Sequence, residues 1–272
     1  MDAFDFAGRT VFVAGGTSGI NLGIAKAFAT RGAYVAVASR SADRVAKAVA
    51  ELEALGGKVL GQVADVRDAA TIAAALQAAH DRFGPIDVLV SGAAGNFPAA
   101  ALGMSPNAFK TVVDIDLIGT FNVLRGAHQF LRKPGASVIN VSVPQAVQAT
   151  AMQAHVCAAK AGVDMLTRVL CLEWGADGIR INSVVPGPIE GTEGMARLAP
   201  TEADRQGWRS TIPLGRFGGL DDVANLVLFL ASPLGSYISG AVIPVDGGMT
   251  ANGAGPIGDI LRVAAAQPRP AR

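Results

Sequence analysis

The chain has 272 residues, half of them hydrophobic and 17% charged, which is enough apolar mass for one large core. A net charge of +1 speaks against a nucleic-acid partner. No uninterrupted apolar run is long enough to span a membrane, and the opening MDAFDFAGRT carries acids where a secretory signal needs a basic end and an apolar stretch.

TVFVAGG (10–16) reads as a first strand and residues 20–31 as a helix. YVAVAS (34–39) is a second strand, followed by a helix over 41–55 that stops at Gly56-Gly57. KVLGQVAD (58–65), DVLVSGAA (87–94), SVINVSV (137–143), RINSVVPG (180–187) and AVIPVDGG (241–248) follow as strands. Helical patterns at 69–83, 107–131, 151–175 and 221–231 fill most gaps. Strands that are apolar throughout belong in a parallel sheet covered on both faces. Strand–helix alternation from end to end predicts an α/β, doubly wound parallel sheet of about seven strands. One domain is expected over 1–250, with an irregular segment at 190–212 as a lid and 251–272 as a C-terminal extension. Cys157 and Cys171 share one predicted helix, so reduced thiols in a cytoplasmic protein are expected.

VAGGTSGINLG (13–23) follows the first strand and opens the first helix. Glycines at such a turn let the backbone approach a pyrophosphate, and the helix N-terminus supplies N–H donors. Gly15, Thr17, Ser18, Gly19, Ile20 and Asn21 are therefore expected around a dinucleotide. The end of strand two selects the cofactor. An NAD enzyme places an acid there for the ribose hydroxyls. This chain has Ser39-Arg40, and a guanidinium beside a hydroxyl suits a 2′-phosphate. NADPH is the expected cofactor.

GGTSGI, Asp65-Val66 after strand three, SGAAG (91–95) after strand four, Lys160, and PGPI (186–189) after strand six together resemble the short-chain dehydrogenase/reductase family. The match covers residues 8–248. It implies a single Rossmann-type domain and a homotetramer. Carried over by position, Asp65 and Val66 would lie at adenine and Ala93 and Gly95 along the ribose. Pro186, Gly187 and Ile189 would cover the nicotinamide. The family's usual site holds Asn, Ser, Tyr and Lys. Here those positions carry Asp116, Val143, Val156 and Lys160. Gln153, seven before the lysine, stands where the family's enoyl-carrier-protein reductases place their tyrosine.

The runs AAGNF (93–97), NAFKTVVDIDLIGTFNV (107–123), QAHVCAAKAGVDMLTRVLCLEWG (153–175) and PGPIEGTEGMARL (186–198) resemble the peroxisomal-type 2,4-dienoyl-CoA reductases within that family. In that group the tyrosine is likewise missing, and an aspartate at the position of Asp116 is implicated beside the lysine. The resemblance implies an acyl-CoA substrate, although the chain does not end in an SKL-like peroxisomal address. Asp116 and Lys160 are the expected catalytic pair, with Lys160 also on the nicotinamide ribose. Asn96 and Phe97 face either the acyl chain or the core. The lid's Arg197, Arg205 and Arg209 meet either CoA phosphates or solvent. His155 lies five before Lys160, rotated by about 140° at about 100° per residue. It is expected to be a hydrogen-bonded structural histidine unless the helix starts late.

Overall fold

A computed structural model describes residues 3–251. Among them seven strands form one parallel sheet: β1 (Thr10–Ala14), β2 (Tyr34–Ser39), β3 (Lys58–Val63), β4 (Ile86–Ser91), β5 (Ser137–Val141), β6 (Arg180–Pro186) and β7 (Val242–Val245). Their order is β3-β2-β1-β4-β5-β6-β7. Every residue of β1, β4 and β5 is buried, because helices cover both faces.

Two hydrophobic cores result, one per face. On the first, Ile24 and Phe28 of α1 (Gly19–Ala29) meet Val223 and Val227 of α9 (Leu220–Ala231). On the second, Ile72 and Leu76 of α3 (Ala69–Phe83) meet Val123 and Leu124 of α5 (Gly119–Ala127). Asp68 caps α3 through the amides of Ala70 and Thr71, and Gly84 ends it at φ 84°, where a Cβ is disfavoured. Strand order reverses between β1 and β4. Ligands in such sheets bind beyond the carboxyl ends of the strands at that switch.

The sheet and its layers agree with the expectation from sequence. Two helices do not. The pattern over 107–131 is not one α-helix. It comprises α4 (Pro106–Val113), a π-helical turn at Asp114–Ile118, α5, and a short 3₁₀ turn at His128–Phe130. Gly119 sits where the π turn rejoins α5, and a Cβ there would lie 2.6 Å from a Val66 methyl. The helix expected from 151 starts at Ala154, as α6 (Ala154–Trp174). Met152, at φ 68°, turns the chain into it. The segment 190–212 folds as two short helices, α7 (Glu193–Leu198) and α8 (Glu202–Ser210). The expected C-terminal extension lies outside the described residues but for Ala251.

Candidate active site

Two adjoining cavities open at the carboxyl ends of the strands. The smaller, about 210 Å³, is lined by Gly15, Thr17, Ser39, Arg40, Asp65, Val66 and Ala93, all expected from sequence. The larger, about 340 Å³, is lined by Gly19, Ile20, Lys160, Pro186, Gly187 and Ile189, again as expected. Ser18, Asn21, Gly92 and Ala94 border both, so the two form one groove.

The groove fits a dinucleotide. Gly15 sits at φ 76°, and a Cβ there would lie 2.9 Å from the backbone of Ala93. At Gly19 (φ 53°) the nearest atom to an added Cβ is the Thr192 methyl at 3.8 Å, so the backbone there is open to a diphosphate. Ser18, the N-cap of α1, makes no side-chain capping bond, which leaves first-turn amides facing the groove. Asn21 fastens the floor: its Nδ2 donates to the Gly92 carbonyl at 2.7 Å. Asn122 likewise donates to the Val66 carbonyl at 2.9 Å. Asp65 is held by Arg67, whose guanidinium keeps its carboxyl below the ordinary range.

Arg40 lines the smaller cavity, joined by Arg44 from α2 (Ala42–Glu53). Arg44 also pairs with Glu193 of α7 at 3.2 Å. Three arginines of the 190–212 segment are engaged within it. Arg209 reaches Glu202 at 2.6 Å, Arg197 reaches Glu193 at 3.5 Å, and Arg205 pairs with Glu190. Arg205 and Arg209 also lie over the Phe217 ring. These three arginines pair with glutamates of the same segment at its surface.

Lys160 and Asp116 come together as expected. Lys160 Nζ is 3.6 Å from Asp116 Oδ2, with both side chains almost wholly buried at 2% and 1% exposure. The ammonium donates to the Val141 carbonyl at 2.9 Å. Lys160 lines the larger cavity, while Asp116 stands one layer behind its wall. Burial pushes the Asp116 carboxyl up; Lys160 and the Gly95 N–H oppose that without cancelling it. Gly95, expected along the ribose, lines neither cavity. Its N–H donates instead to Asp116 Oδ1 at 2.7 Å.

The π turn explains how Asp116 arrives there. One extra residue in the helical turn rotates the acid out of the α-helical register and into the interior, a distortion that recurs at functional sites. Val156, in the tyrosine position, is buried at 3% exposure, and Val143 lines the cavity. Neither can donate a proton.

Two features escaped the sequence reading, and a third differs from it. The cavity wall includes Met195 and Leu198, three apart on α7, together with Trp208 and Met249. Their helical spacing was the available signal. Asp164, one turn beyond Lys160 on α6, is buried and its carboxyl is pushed up by burial. An acid at i+4 from a lysine on a buried face could have marked it. His155 is wholly buried, with both ring nitrogens lacking a hydrogen-bond partner. It is not the hydrogen-bonded structural histidine expected, because α6 begins only one residue before it. Its ring packs on Phe97, centroids 4.5 Å apart. Phe97 therefore faces the interior beside the site, and Asn96 lines the cavity.

Comparison with known proteins agrees with this geometry. A family model described as enoyl-(acyl carrier protein) reductase matches residues 14–250. The peroxisomal 2,4-dienoyl-CoA reductase of Rattus norvegicus is 44% identical over 242 residues, 88% of this chain and 83% of that one. The protein of the same name from Arabidopsis thaliana is 41% identical over 252 residues, 89% and 84% of the two chains. The crystal structure of a short-chain type dehydrogenase/reductase from Mycobacterium marinum superposes with a TM-score of 0.83 at 32% identity. It covers 92% of this chain and 98% of its own. The Rossmann-type sheet, the glycine turn and the buried lysine thus share one origin: the chain belongs to the short-chain dehydrogenase/reductase family, whose members use a nicotinamide cofactor.

Proposed function

We propose that the protein reduces a 2,4-dienoyl-CoA to a 3-enoyl-CoA, with NADPH as cofactor and Asp116 and Lys160 as the catalytic pair. One observation carries the reading. The site keeps a buried acid and lysine but has valines where a carbonyl reductase needs its proton donors.

Reducing a ketone leaves a basic alkoxide that must be protonated at once, the task of a tyrosine. A conjugated thioester is less demanding. A dihydronicotinamide, once bound, would supply a hydride for the δ-carbon. The charge then spreads through a dienolate to the thioester oxygen, where fixed positive potential stabilises it. Lys160 provides that potential at the cavity wall and would hold the ribose hydroxyls. Asp116 returns a proton to the α-carbon through a water held near the ammonium. Burial makes that carboxyl hold a proton more readily than a solvated one does. The apolar wall of Val143, Met195, Leu198 and Trp208 accepts a flat acyl chain.

Incubation with NADPH and a 2,4-dienoyl-CoA should consume both and yield a 3-enoyl thioester by mass spectrometry. Tight NADPH binding with no thioester turnover sinks the reading, and turnover of a quinone alone redirects it.

Arg40 and Arg44 form the 2′-phosphate end of the groove. Removing one charge-assisted hydrogen bond of this kind weakens binding by about 1.5–3 kcal/mol. Arg40→Ala should therefore raise the Kd for NADPH by at least about tenfold and leave that for NADH nearly unchanged. Equal losses in titration calorimetry overturn the NADPH assignment.

The outer faces of α4, α5 and α6 leave Phe109, Phe121, Met165, Val169 and Leu172 exposed. Met165, Val169 and Leu172 recur at helical spacing on α6, and second copies of the chain in a homotetramer would cover them. No helix among the described residues is long and apolar enough to cross a membrane. The compartment belongs to the proposal too. Two unpaired thiols suit a reducing one such as the cytoplasm, whereas the relatives above are named peroxisomal.

A further inference from the structure

We propose that the cavity at the amino ends of the strands is a second binding site, which takes a phosphate group. It measures about 780 Å³, more than either part of the groove described above. Its walls come from the residues just before β1, the starts of β4 and β6, and the turns that precede β5 and follow α9. The strands are parallel, so this end faces away from the groove at their carboxyl ends. Six residues of β4 at about 3.3 Å each put roughly 20 Å between the two. Sites for small organic ligands have this size, with largely apolar walls and a few placed polar groups.

The charge on the wall is out of balance. Arg9, Arg132 and Arg180 line the cavity against two carboxylates, Asp5 and Asp87. Asp87 is buried at 5% exposure. It accepts from Arg9 at 3.0 Å, from Arg132, and from the Thr10 N–H at 2.9 Å. Asp5 accepts from the Ala7 N–H at 2.9 Å. Among the described residues, no carboxylate pairs with Arg180. Its Nη1 donates to the neutral Gly235 carbonyl at 2.8 Å. Burial pulls its guanidinium below the ordinary range, with no acid to oppose that. A guanidinium stays charged all the same, and a charge drawn out of water calls for a counter-charge. An anion entering the cavity would supply it.

The strand register sets the arginines at one level. Val88 on β4, Ser137 on β5 and Arg180 on β6 are neighbours in one row. The Arg132 N–H donates to the Ile86 carbonyl at 2.9 Å, at the start of β4. Strands lie about 4.8 Å apart, so about 10 Å of sheet separates Arg180 from β4. Guanidiniums on separate elements suit a tetrahedral oxyanion, whose oxygens point several ways, better than a flat carboxylate. Phe6, Val88 and Ile179 add apolar wall for the body of a phosphate ester. The site stands whether or not the protein reduces a dienoyl-CoA.

Phenyl phosphate and inorganic phosphate, each titrated into protein already saturated with NADPH, test the site with the groove filled. Calorimetry should show one phenyl phosphate per chain. Arg180→Met should weaken that binding at least about tenfold and leave the Kd for NADPH unchanged. Tighter binding of phenyl phosphate than of inorganic phosphate names an ester as the ligand, equal binding names free phosphate, and both support the site. A second measurement uses unaltered protein and decides the matter if Arg180→Met fails to fold. Cys171 lines this cavity and Cys157 does not. Phenyl phosphate should slow the alkylation of Cys171 by iodoacetamide, followed by mass spectrometry, and leave the rate at Cys157 as it was. No saturable binding to the NADPH complex, benzoate binding as tightly as phenyl phosphate, full affinity in Arg180→Met, or an unprotected Cys171 each overturns the proposal.

Discussion

Asp116→Asn should lower kcat on a 2,4-dienoyl-CoA by about 10²–10⁴-fold, the range in which positioned acids act. NADPH affinity should change little, because Asp116 lines neither cavity. Asparagine preserves the shape and can still accept from the Gly95 N–H, so the loop that carries Phe97 keeps its anchor. Only the transferable proton is lost. The pH dependence gives a second readout. Burial raises the Asp116 carboxyl, and the reaction needs it protonated. Wild-type kcat should therefore fall as pH rises through that raised value, and the residual rate of the variant should lack this alkaline limb. Stopped-flow measurement of NADPH consumption at saturating substrate tests both points. A variant with near-normal kcat, or one that keeps the same limb, removes Asp116 from proton supply.

The frame of this molecule could be read from its sequence because its physics is periodic. YVAVAS became β2 with the expected bounds, since an apolar β-branched run between turns has few other solutions. The helix at 69–83 also matched, with Asp68 to start it and Gly84 to stop it. The glycine turn was legible because Gly15 and Gly19 answer a steric demand that other residues meet poorly.

What was hidden is aperiodic. DIDLI has the composition of any helical stretch, and nothing in a period of 3.6 signals that Asp114–Ile118 winds as π. The late start of α6 depends on Met152, whose φ of 68° no propensity foretells. That one backbone angle decides whether His155 faces sideways or inward. The arginines of 190–212 were ambiguous for another reason. Glu190 lies fifteen residues before Arg205, so only the fold of α7 and α8 pairs them. Valine at positions 143 and 156 was visible at once, and it pointed to the chemistry because what it lacks is a proton.

Lys160→Met should abolish turnover and also make stability depend on pH more steeply than in the wild type, whose Asp116 carboxyl is already raised. Methionine fills similar space without charge, so the loss is electrostatic. Removing one partner of a buried ion pair leaves the other uncompensated, at a penalty of about 3–5 kcal/mol when it stays ionised. Asp116 has a way out, because it can take up a proton. Lys160 is the largest influence holding its carboxyl down, so in the variant the folded-state value climbs further above the unfolded one. A group raised in this way favours the fold below its unfolded value, about 3.9 for aspartate. That contribution disappears as pH rises through the folded value. The variant should thus melt close to wild type in mild acid and increasingly below it toward neutral and alkaline pH. The double variant Asp116→Asn, Lys160→Met has no buried charge to strand. It should recover most of the lost melting temperature at high pH and remain inactive. Thermal melts followed by circular dichroism across the pH range decide the matter. If Lys160→Met tracks wild type at every pH, Asp116 is not the buried acid on which the whole proton supply depends.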